Sequence, residues 1–106
     1  MLKSKEKEAL TNGLMTYAVL SSLKFDKKYG VELLKYFDKT PFSTQAGTLY
    51  PLLNRLHDQG YVEYDWQESN AGPPRKYYKL SSNGKTHLKE LGIYWKKINH
   101  MLKEQI

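Results

Sequence analysis

The sequence predicts a mainly α-helical domain that carries one two-stranded β-hairpin, and three patterns support that fold class. Leucines within residues 49–56 recur at the spacing of one helix face, residues 62–67 and 76–80 alternate in polarity, and apolar residues from 88 onward are spaced three and four apart. A chain of 106 residues with 40% hydrophobic and 26% charged residues has the size and composition of one globular domain.

Composition excludes several classes of site and of protein. The chain contains no cysteine, which excludes disulfide frameworks, thiolate nucleophiles, and zinc or iron–sulfur sites built from cysteine. The longest apolar stretch, residues 14–23, is too short to span a bilayer, and no basic segment followed by an apolar one opens the chain. We therefore expect a cytoplasmic protein.

The first two predicted helices precede residue 40. The first covers residues 5–23, and its apolar side chains form two stripes wider than one helix face, so this helix requires two apolar neighbours. After a polar break at residues 26–28, the apolar residues of segment 31–37 indicate a short second helix. It should end before Pro41, because the residue before a proline avoids the α region.

The third predicted helix has the clearest pattern. Gly60 is its stop signal, and one face carries Leu49, Leu52, Leu53 and Leu56. The opposite face carries Gly47 and Pro51, and a proline inside a helix costs about 3 kcal/mol because a backbone hydrogen bond is lost. Either a bend near Gly47 or a helix that is capped at Thr48 would relieve this strain, and both remain open at this point.

A β-hairpin and a long last helix follow. Val62, Tyr64 and Trp66 alternate with polar residues, and a second alternating run at 76–80 comes after a turn-rich loop at 69–74. Residues 81–83 supply caps for a helix that reaches the C-terminus. Its apolar residues form a coiled-coil-like seam of Leu88, Leu91, Trp95, Ile98 and Leu102.

The order of helix, helix, helix, hairpin, helix is that of a winged helix-turn-helix domain with an added C-terminal helix. The sequence resembles the short branch of the PadR-like transcriptional regulators in three segments, which occur in the same order and at the same spacing. They are the opening of helix two at residues 29–33 (YGVEL), the helix-three signature at 47–56 (GTLYPLLNRL) and the wing at 72–80 (GPPRKYYKL). The resemblance implies a DNA-binding domain over residues 1–80 and a dimerisation helix over 81–106, within one compact unit.

The formal net charge is +6, and its distribution says more than its total. Residues 70–89 contain five basic residues and no acidic one, whereas residues 61–68 contain three acidic ones. Charge alone leaves two interpretations open, a solvated face that keeps the protein soluble or a surface for a polyanion. The position of the basic segment on a predicted wing favours contact with DNA.

A helix-turn-helix domain places the N-terminal half of its recognition helix in the major groove. Polar side chains cluster early in helix three, and Gly47 would allow the helix to approach DNA closely. Asn54 and Gln45 can each offer adenine a hydrogen-bond donor and an acceptor. The alternative is that each amide faces solvent. Basic hairpin residues suit phosphate or the minor groove, and the resemblance also implies contacts at the start of helix two. The predicted DNA-binding residues are Lys28, Tyr29, Thr44, Gln45, Gly47, Thr48, Tyr50, Asn54, Arg75, Lys76 and Lys79.

The last helix predicts a homodimer. At roughly 36 Å it is long for this chain, and its seam would be an exposed apolar strip in a monomer. We therefore predict that the five seam residues form a dimer interface, which would set two recognition helices about 34 Å apart, one turn of DNA. The alternative is that the seam packs only on its own domain.

The resemblance also implies an effector site. In short relatives that respond to drugs, the tryptophan at the matching position lines a cavity at the dimer interface that accepts flat aromatic cations. By resemblance, Trp95 would sandwich a planar effector here, and Met15, Ala18 and Val19 would form the walls. The alternative is plain core packing, because a tryptophan in an apolar seam needs no ligand.

Nothing in the sequence indicates an enzyme or a cofactor. The glycines form no phosphate-binding loop, the three histidines lack neighbours at metal-ligand spacing, and no Ser, His and acid arrangement stands out. The sequence predicts a PadR-like DNA-binding transcriptional regulator, a repressor that binds a palindromic operator as a homodimer and is released by a small aromatic effector. The alternative is a winged-helix module that binds a partner protein without reading DNA.

Overall fold

The computed structural model describes residues 1–104 and follows the predicted order of elements, with one added strand. The last two residues of the predicted segment 81–106 lie outside the described part. The elements are α1 (Ser4–Ser22), β1 (Lys28–Tyr29), α2 (Gly30–Phe37), α3 (Ala46–Asp58), β2 (Val62–Ser69), β3 (Gly72–Leu80) and α4 (Ser82–Glu104). The predicted fold class, a mainly helical winged helix-turn-helix domain, is confirmed.

One hydrophobic core joins the first three helices to the sheet. The leucine face predicted for the third helix is fully inside it, and each such leucine stabilises the fold by about 1.5–3 kcal/mol through burial. The core consists of Val19, Leu20, Leu23, Leu33, Phe37, Leu49, Leu52, Leu53, Leu56, Val62, Tyr78 and Leu80. The outer face of α3 is thereby left to its polar residues.

Helix α3 begins at Ala46, two residues before Thr48, which excludes one of the two alternatives for its start. The backbone N–H groups of Thr48 and Leu49 donate to the carbonyl of Gln45, so Gln45 is the residue before the helix and a cap at Thr48 is wrong. Pro51 lies inside the helix on its exposed face. The carbonyl of Gly47 that Pro51 leaves without a helical donor therefore faces the water side.

The sheet has three strands rather than the predicted two. β1 pairs antiparallel with β3, with Lys28 opposite Tyr78 and Tyr29 opposite Tyr77, and the strand order is β1-β3-β2. The predicted polar break at residues 26–28 thus ends in a short strand. Two residues carry no readable alternation, which is why the sequence pattern missed β1.

The hairpin turn is tighter than the predicted loop at residues 69–74. Ser69 pairs with Gly72, which leaves two residues in the turn, and Gln67 pairs with Arg75. Between these two pairs β3 has one more residue than β2, so the ladder bulges around residues 73–74, where both residues are proline. Because proline donates no N–H to a ladder, a bulge is a position that tolerates it. These prolines therefore stiffen a strand near the tip of the wing.

Helix α4 starts against the base of the wing. The Ser81 hydroxyl accepts the Gly84 N–H at 2.9 Å, which confirms the predicted cap, and the same hydroxyl donates to the Gly60 carbonyl. Gly84 is buried and packs so closely against the backbone of Tyr61 that a Cβ there would lie 1.8 Å from the Tyr61 carbonyl oxygen. The first turn of α4 is therefore locked onto the start of β2.

The rest of α4 crosses α1 and then extends away from the core. At the crossing, the Tyr17 hydroxyl lies 3.3 Å from where a Cβ of Gly92 would be. Beyond it the seam becomes exposed, first at Ile98 and then at Leu102. The molecule measures 52 Å along its longest axis.

Candidate nucleic-acid interface

A groove runs between the start of α2, the middle of α3 and strand β3. It has a volume of about 380 Å³ and brings together five of the predicted DNA-binding residues, which come from three separate segments of the chain. Its lining consists of Tyr29, Gly30, Val31, Tyr50, Asn54, Arg75, Lys76 and Tyr78. The groove combines an exposed amide, two cations and several aromatic rings.

Tyr50 of α3 packs closely against the start of α2 at this groove. Its ring lies so close to Gly30 that a Cβ there would be 2.5 Å from Tyr50 Cε1, and 39% of Tyr50 stays exposed. Tyr29, the residue before α2, donates its backbone N–H to Glu32 Oε1 at 3.2 Å. The start of α2 is thus held both by a ring and by a carboxylate.

Residues just before α3, together with its first turn, form a second, more polar recess beside α1. Thr44, Gln45 and Thr48 line it together with Ser43 and three polar residues of α1, one of which is Glu8. Gly47 lies in the open, with nothing within 4 Å of the position of a Cβ. The N-terminal half of α3 therefore presents short polar side chains and an unobstructed backbone.

Arg75 and Lys76 project from opposite faces of β3, because successive side chains of a strand alternate. The Arg75 guanidinium lies 4.5 Å from the centre of the Tyr29 ring, and the Lys76 ammonium lies 4.5 Å from the ring of Tyr64 and 5.3 Å from that of Trp66. Neither cation forms an ion pair with a carboxylate of residues 1–104. Aromatic rings hold both side chains while their charges remain uncompensated.

Two other predicted phosphate contacts are placed differently. Lys79 forms an exposed ion pair with Asp65 at 3.4 Å, so part of its charge is already balanced. Lys28 points into the domain, where its ammonium donates to the Ser22 carbonyl and lies 5.1 Å from the Tyr36 ring. The expectation that Lys28 reaches phosphate does not fit this geometry, because its place in β1 opposite buried Tyr78 turns it towards the core.

The sequence interpretation missed the aromatic residues of β2. Tyr64 and Trp66 occupy the face of the hairpin that also carries Lys76, and Trp66 is 62% exposed. The signal was present in the alternation of β2, which separates these rings from the carboxylates of Glu63 and Asp65. Along residues 62–67 the carboxylates of β2 therefore lie on the face opposite the rings, and Glu68 follows Trp66 on the aromatic face.

Burial raises the pKa of the Tyr78 hydroxyl above its ordinary value of 10.0, and the neighbouring hydroxyls of Tyr64 and Tyr50 raise it further. Tyr78 therefore contributes a neutral hydroxyl at physiological pH.

A larger cavity of about 680 Å³ lies between α1, α2 and the segment that follows α2, with Trp95 of α4 on its rim. Ala18 and Trp95 line it as expected, whereas Val19 is fully buried in the core and Met15 packs against that core. The walls are apolar, aromatic or hydroxyl-bearing: Leu14, Tyr17, Ala18, Ser21, Ser22, Tyr36, Phe37, Thr40, Phe42 and Trp95. Trp95 thus meets α1 and α2 of its own chain.

The three histidines serve local packing. His57 lies against the Tyr64 ring, His87 stacks on Tyr61 with ring centres 4.0 Å apart, and His100 pairs with Glu104 one turn away. Within residues 1–104, no three His, Asp or Glu side chains are grouped so that they could hold a metal ion. In the same part of the chain, no helix has the length and apolarity needed to cross a membrane.

Comparison with known proteins yields one family. Residues 19–90 match the transcriptional regulator PadR-like family. A PadR-like transcription factor from Bacteroides fragilis has a similar structure, with a TM-score of 0.80 and 33% identity over 97% of this chain and 100% of that one. A PadR family regulator from Eggerthella lenta gives a TM-score of 0.86 and 31% identity over 95% of this chain and 88% of that one.

A third similar structure is that of Bacillus subtilis PadR in complex with operator DNA. It gives a TM-score of 0.70 and 25% identity, over 76% of this chain and 46% of the longer protein. Because the family model matches more than half of the chain, and because the winged helix-turn-helix fold agrees throughout, the chain belongs to the PadR-like family of transcriptional regulators.

Proposed function

We propose that the protein is a homodimeric repressor that binds a palindromic DNA operator through α3 and the wing. The groove that gathers Asn54, Arg75 and Lys76 beside the exposed face of α3 is the observation that carries this proposal. Repression needs only that the bound protein block the polymerase, whereas activation requires a further contact with the transcription machinery. The existence of a similar PadR structure in complex with operator DNA supports the DNA-binding part of this proposal.

In this proposal the N-terminal half of α3 enters the major groove. Gln45 and Asn54 read base edges, with about 1–3 kcal/mol of discrimination for each paired contact that forms. Thr44, Thr48 and Tyr50 contact the backbone or base edges around them, and open space at Gly47 lets the helix approach closely. Arg75 and Lys76 contact phosphates from the wing, Tyr29 holds Arg75 in place, and Lys79 contributes less because of its ion pair.

We assign DNA binding to residues 1–80 and dimerisation to the helix that follows. Ile98 and Leu102, the outer part of the predicted interface, are exposed in the single chain, whereas Leu88 and Leu91 pack partly against the core of their own chain and Trp95 lines its cavity. Two copies that bury this strip would present two copies of α3 to one face of DNA. A two-fold protein dimer matches a palindromic site.

A selection of bound sequences from random duplexes tests DNA reading and symmetry together. We expect an enriched palindrome whose affinity falls about tenfold per phosphate contact for each tenfold rise in salt. Lack of binding to any duplex at about 50 mM salt would reject the proposal and favour a module that binds a partner protein. Enrichment of a single asymmetric half-site would reject the dimer.

We also propose that a planar aromatic effector releases the repressor by binding at the cavity beside Trp95. The support is its volume of about 680 Å³ and its five aromatic side chains, Tyr17, Tyr36, Phe37, Phe42 and Trp95. Among residues 1–104 no charged side chain lines the cavity, and Lys28 already lies over the Tyr36 ring, so a cationic effector would rely on the faces of the other rings. Titration with planar cations should quench tryptophan fluorescence and weaken operator binding, and the absence of both effects would reject this effector class.

A further inference from the structure

We propose that Trp66 contacts the DNA backbone directly and that its ring positions Lys76 against a phosphate. The inference rests on the proposed DNA binding and names a contact outside the recognition helix and outside the basic residues of the wing. Trp66 belongs to what we call the aromatic row, which consists of Tyr78, Tyr64 and Trp66 on one face of the hairpin.

The aromatic row leads from the core to the surface. The ring centres of Tyr78 and Tyr64 are 5.9 Å apart, and those of Tyr64 and Trp66 are 6.2 Å apart at an interplanar angle of 90°. Exposure rises along the row from 7% at Tyr78 to 62% at Trp66. Tyr78 anchors the inner end of the row, and its outer end presents a rigid apolar surface to solvent.

Lys76 lies over this row. Its ammonium is 4.5 Å from the Tyr64 ring and 5.3 Å from the Trp66 ring, and Lys76 is the cross-strand partner of Trp66. The two rings restrict a side chain that would otherwise be flexible, which lowers the entropy lost when it binds a phosphate. The indole next to it can pack on the adjacent sugar, so one unit would contact both parts of the DNA backbone.

The charge on this face suits DNA. Alternation places Glu63 and Asp65 on the opposite face, where Asp65 pairs with Lys79. The face with the aromatic row therefore has the cation Lys76 beside Trp66, and the one β2 carboxylate on this side, Glu68, lies beyond Trp66 towards the hairpin turn. It is continuous with the groove, because Lys76 and Tyr78 line that groove together with Asn54.

Phe25 provides a matched control for Trp66. It is an exposed aromatic residue at 87% exposure with the ammonium of Lys24 5.3 Å from its ring, the same distance as in the Lys76–Trp66 pair. Phe25 lies in the segment between α1 and β1, where it lines a recess with Lys79 and Leu80 at the inner end of β3 and not the groove that Asn54 and Lys76 line. A general effect of losing an exposed ring beside a lysine would therefore appear equally in F25A.

Affinity for the selected duplex provides the first test. We expect W66A to bind roughly fivefold more weakly and W66F to retain most of the affinity, while F25A binds like the wild type. The slope of log affinity against log salt should fall by about 0.9 in K76A, which removes a phosphate contact. In W66A the slope should fall by less, because Lys76 remains but is no longer held. Equal binding by W66A and wild type would overturn the inference.

Fluorine NMR of the wild-type protein, labelled with 5-fluorotryptophan, tests the contact in a protein that carries no substitution. The W66F spectrum assigns the two resonances. On addition of the duplex, the Trp66 resonance should shift and lose its solvent isotope effect. If the labelled protein binds the duplex and this resonance does not change, the inference fails while DNA binding stands. If the wild type binds no duplex, both fail.

Discussion

The wing and the outer part of α4 both expose large apolar side chains, and they do so differently. On the wing, Trp66 is exposed but lies under the ammonium of Lys76. On the outer part of α4, Ile98, Met101 and Leu102 are exposed aliphatic side chains, which offer no ring face to a cation. The wing therefore holds a cation on its exposed apolar surface, whereas the exposed seam side chains at the helix end are aliphatic.

This difference indicates different partners for the two regions. A cation held on an aromatic ring suits a hydrated polyanion, because the charge stays available while the ring packs. A bare aliphatic strip is stable in water only when another apolar surface covers it. We infer that the wing serves DNA and that the end of α4 serves a second copy of the chain, and the variants below test this division.

The largest effect is expected from making the helix end polar. I98Q/L102Q should turn the dimer into a 12.4 kDa monomer and weaken operator binding. The loss should be about 100-fold or more, since two linked half-sites bind far more tightly than one. Sedimentation velocity gives the mass and fluorescence anisotropy with labelled operator gives the affinity. Neither substitution changes the net charge.

Tyr94 provides the control on the same helix, since it is also large and exposed but lies off the seam. Y94Q should remain dimeric and bind the operator normally. A monomeric wild type at the concentrations that saturate the operator would contradict the assignment of the helix end to dimerisation.

The next largest effect is expected where the first turn of α4 packs against the residue before β2, at the base of the wing. G84A should lower the free energy of unfolding by about 1–3 kcal/mol, because the methyl group meets the Tyr61 carbonyl and the surroundings must move. Urea unfolding measures it. G13A is the control: Gly13 lies in α1 with open space around it, so alanine should stabilise by roughly 0.5–1 kcal/mol. Equal effects in both variants would show that the contact at Gly84 carries no strain.

The sequence predicted well those features that a local period encodes. The leucine face of α3, the alternation of β2 and the cap at Ser81 each depend on residues close together in the chain, and all three are present in the structure. The seam of α4 was readable for the same reason. Such features follow from the geometry of a helix or a strand alone.

Features that depend on distant segments were not predictable in this way. β1 has two residues, and its existence depends on β3, some 50 positions later. The inward direction of Lys28 follows from that pairing, so the sequence pattern placed this lysine at the surface. The cavity beside Trp95 is likewise formed by α1, α2 and α4 together, which explains why the predicted walls included Val19 of the core.

A smaller effect on DNA binding should come from the wing. R75A/K76A should weaken operator binding about tenfold and lower the salt slope by about 1.8, because two phosphate contacts are lost. K85A/K89A is the matched control: it removes the same charge from the same acid-free segment, but on α4. Titrations at several salt concentrations measure both quantities. An equal loss in both double variants would show that the total charge matters and the position of the wing does not.

The smallest effect is expected on the free energy of unfolding at high pH, through Tyr78 at the inner end of the aromatic row. The pKa of Tyr78 is raised in the folded protein, mainly by burial, whereas the unfolded chain releases this proton near its ordinary value of 10.0. Above that pH the unfolded state binds fewer protons than the folded state, so the free energy of unfolding decreases as pH rises. The stabilisation is fully present below pH 10 and is lost as the pH rises towards the folded pKa. Urea unfolding between about pH 8 and pH 11 should show this decrease, and Y78F should reduce it. An identical decrease in Y78F would show that Tyr78 does not cause the effect, and the core anchor of the aromatic row would then carry no penalty for ionisation.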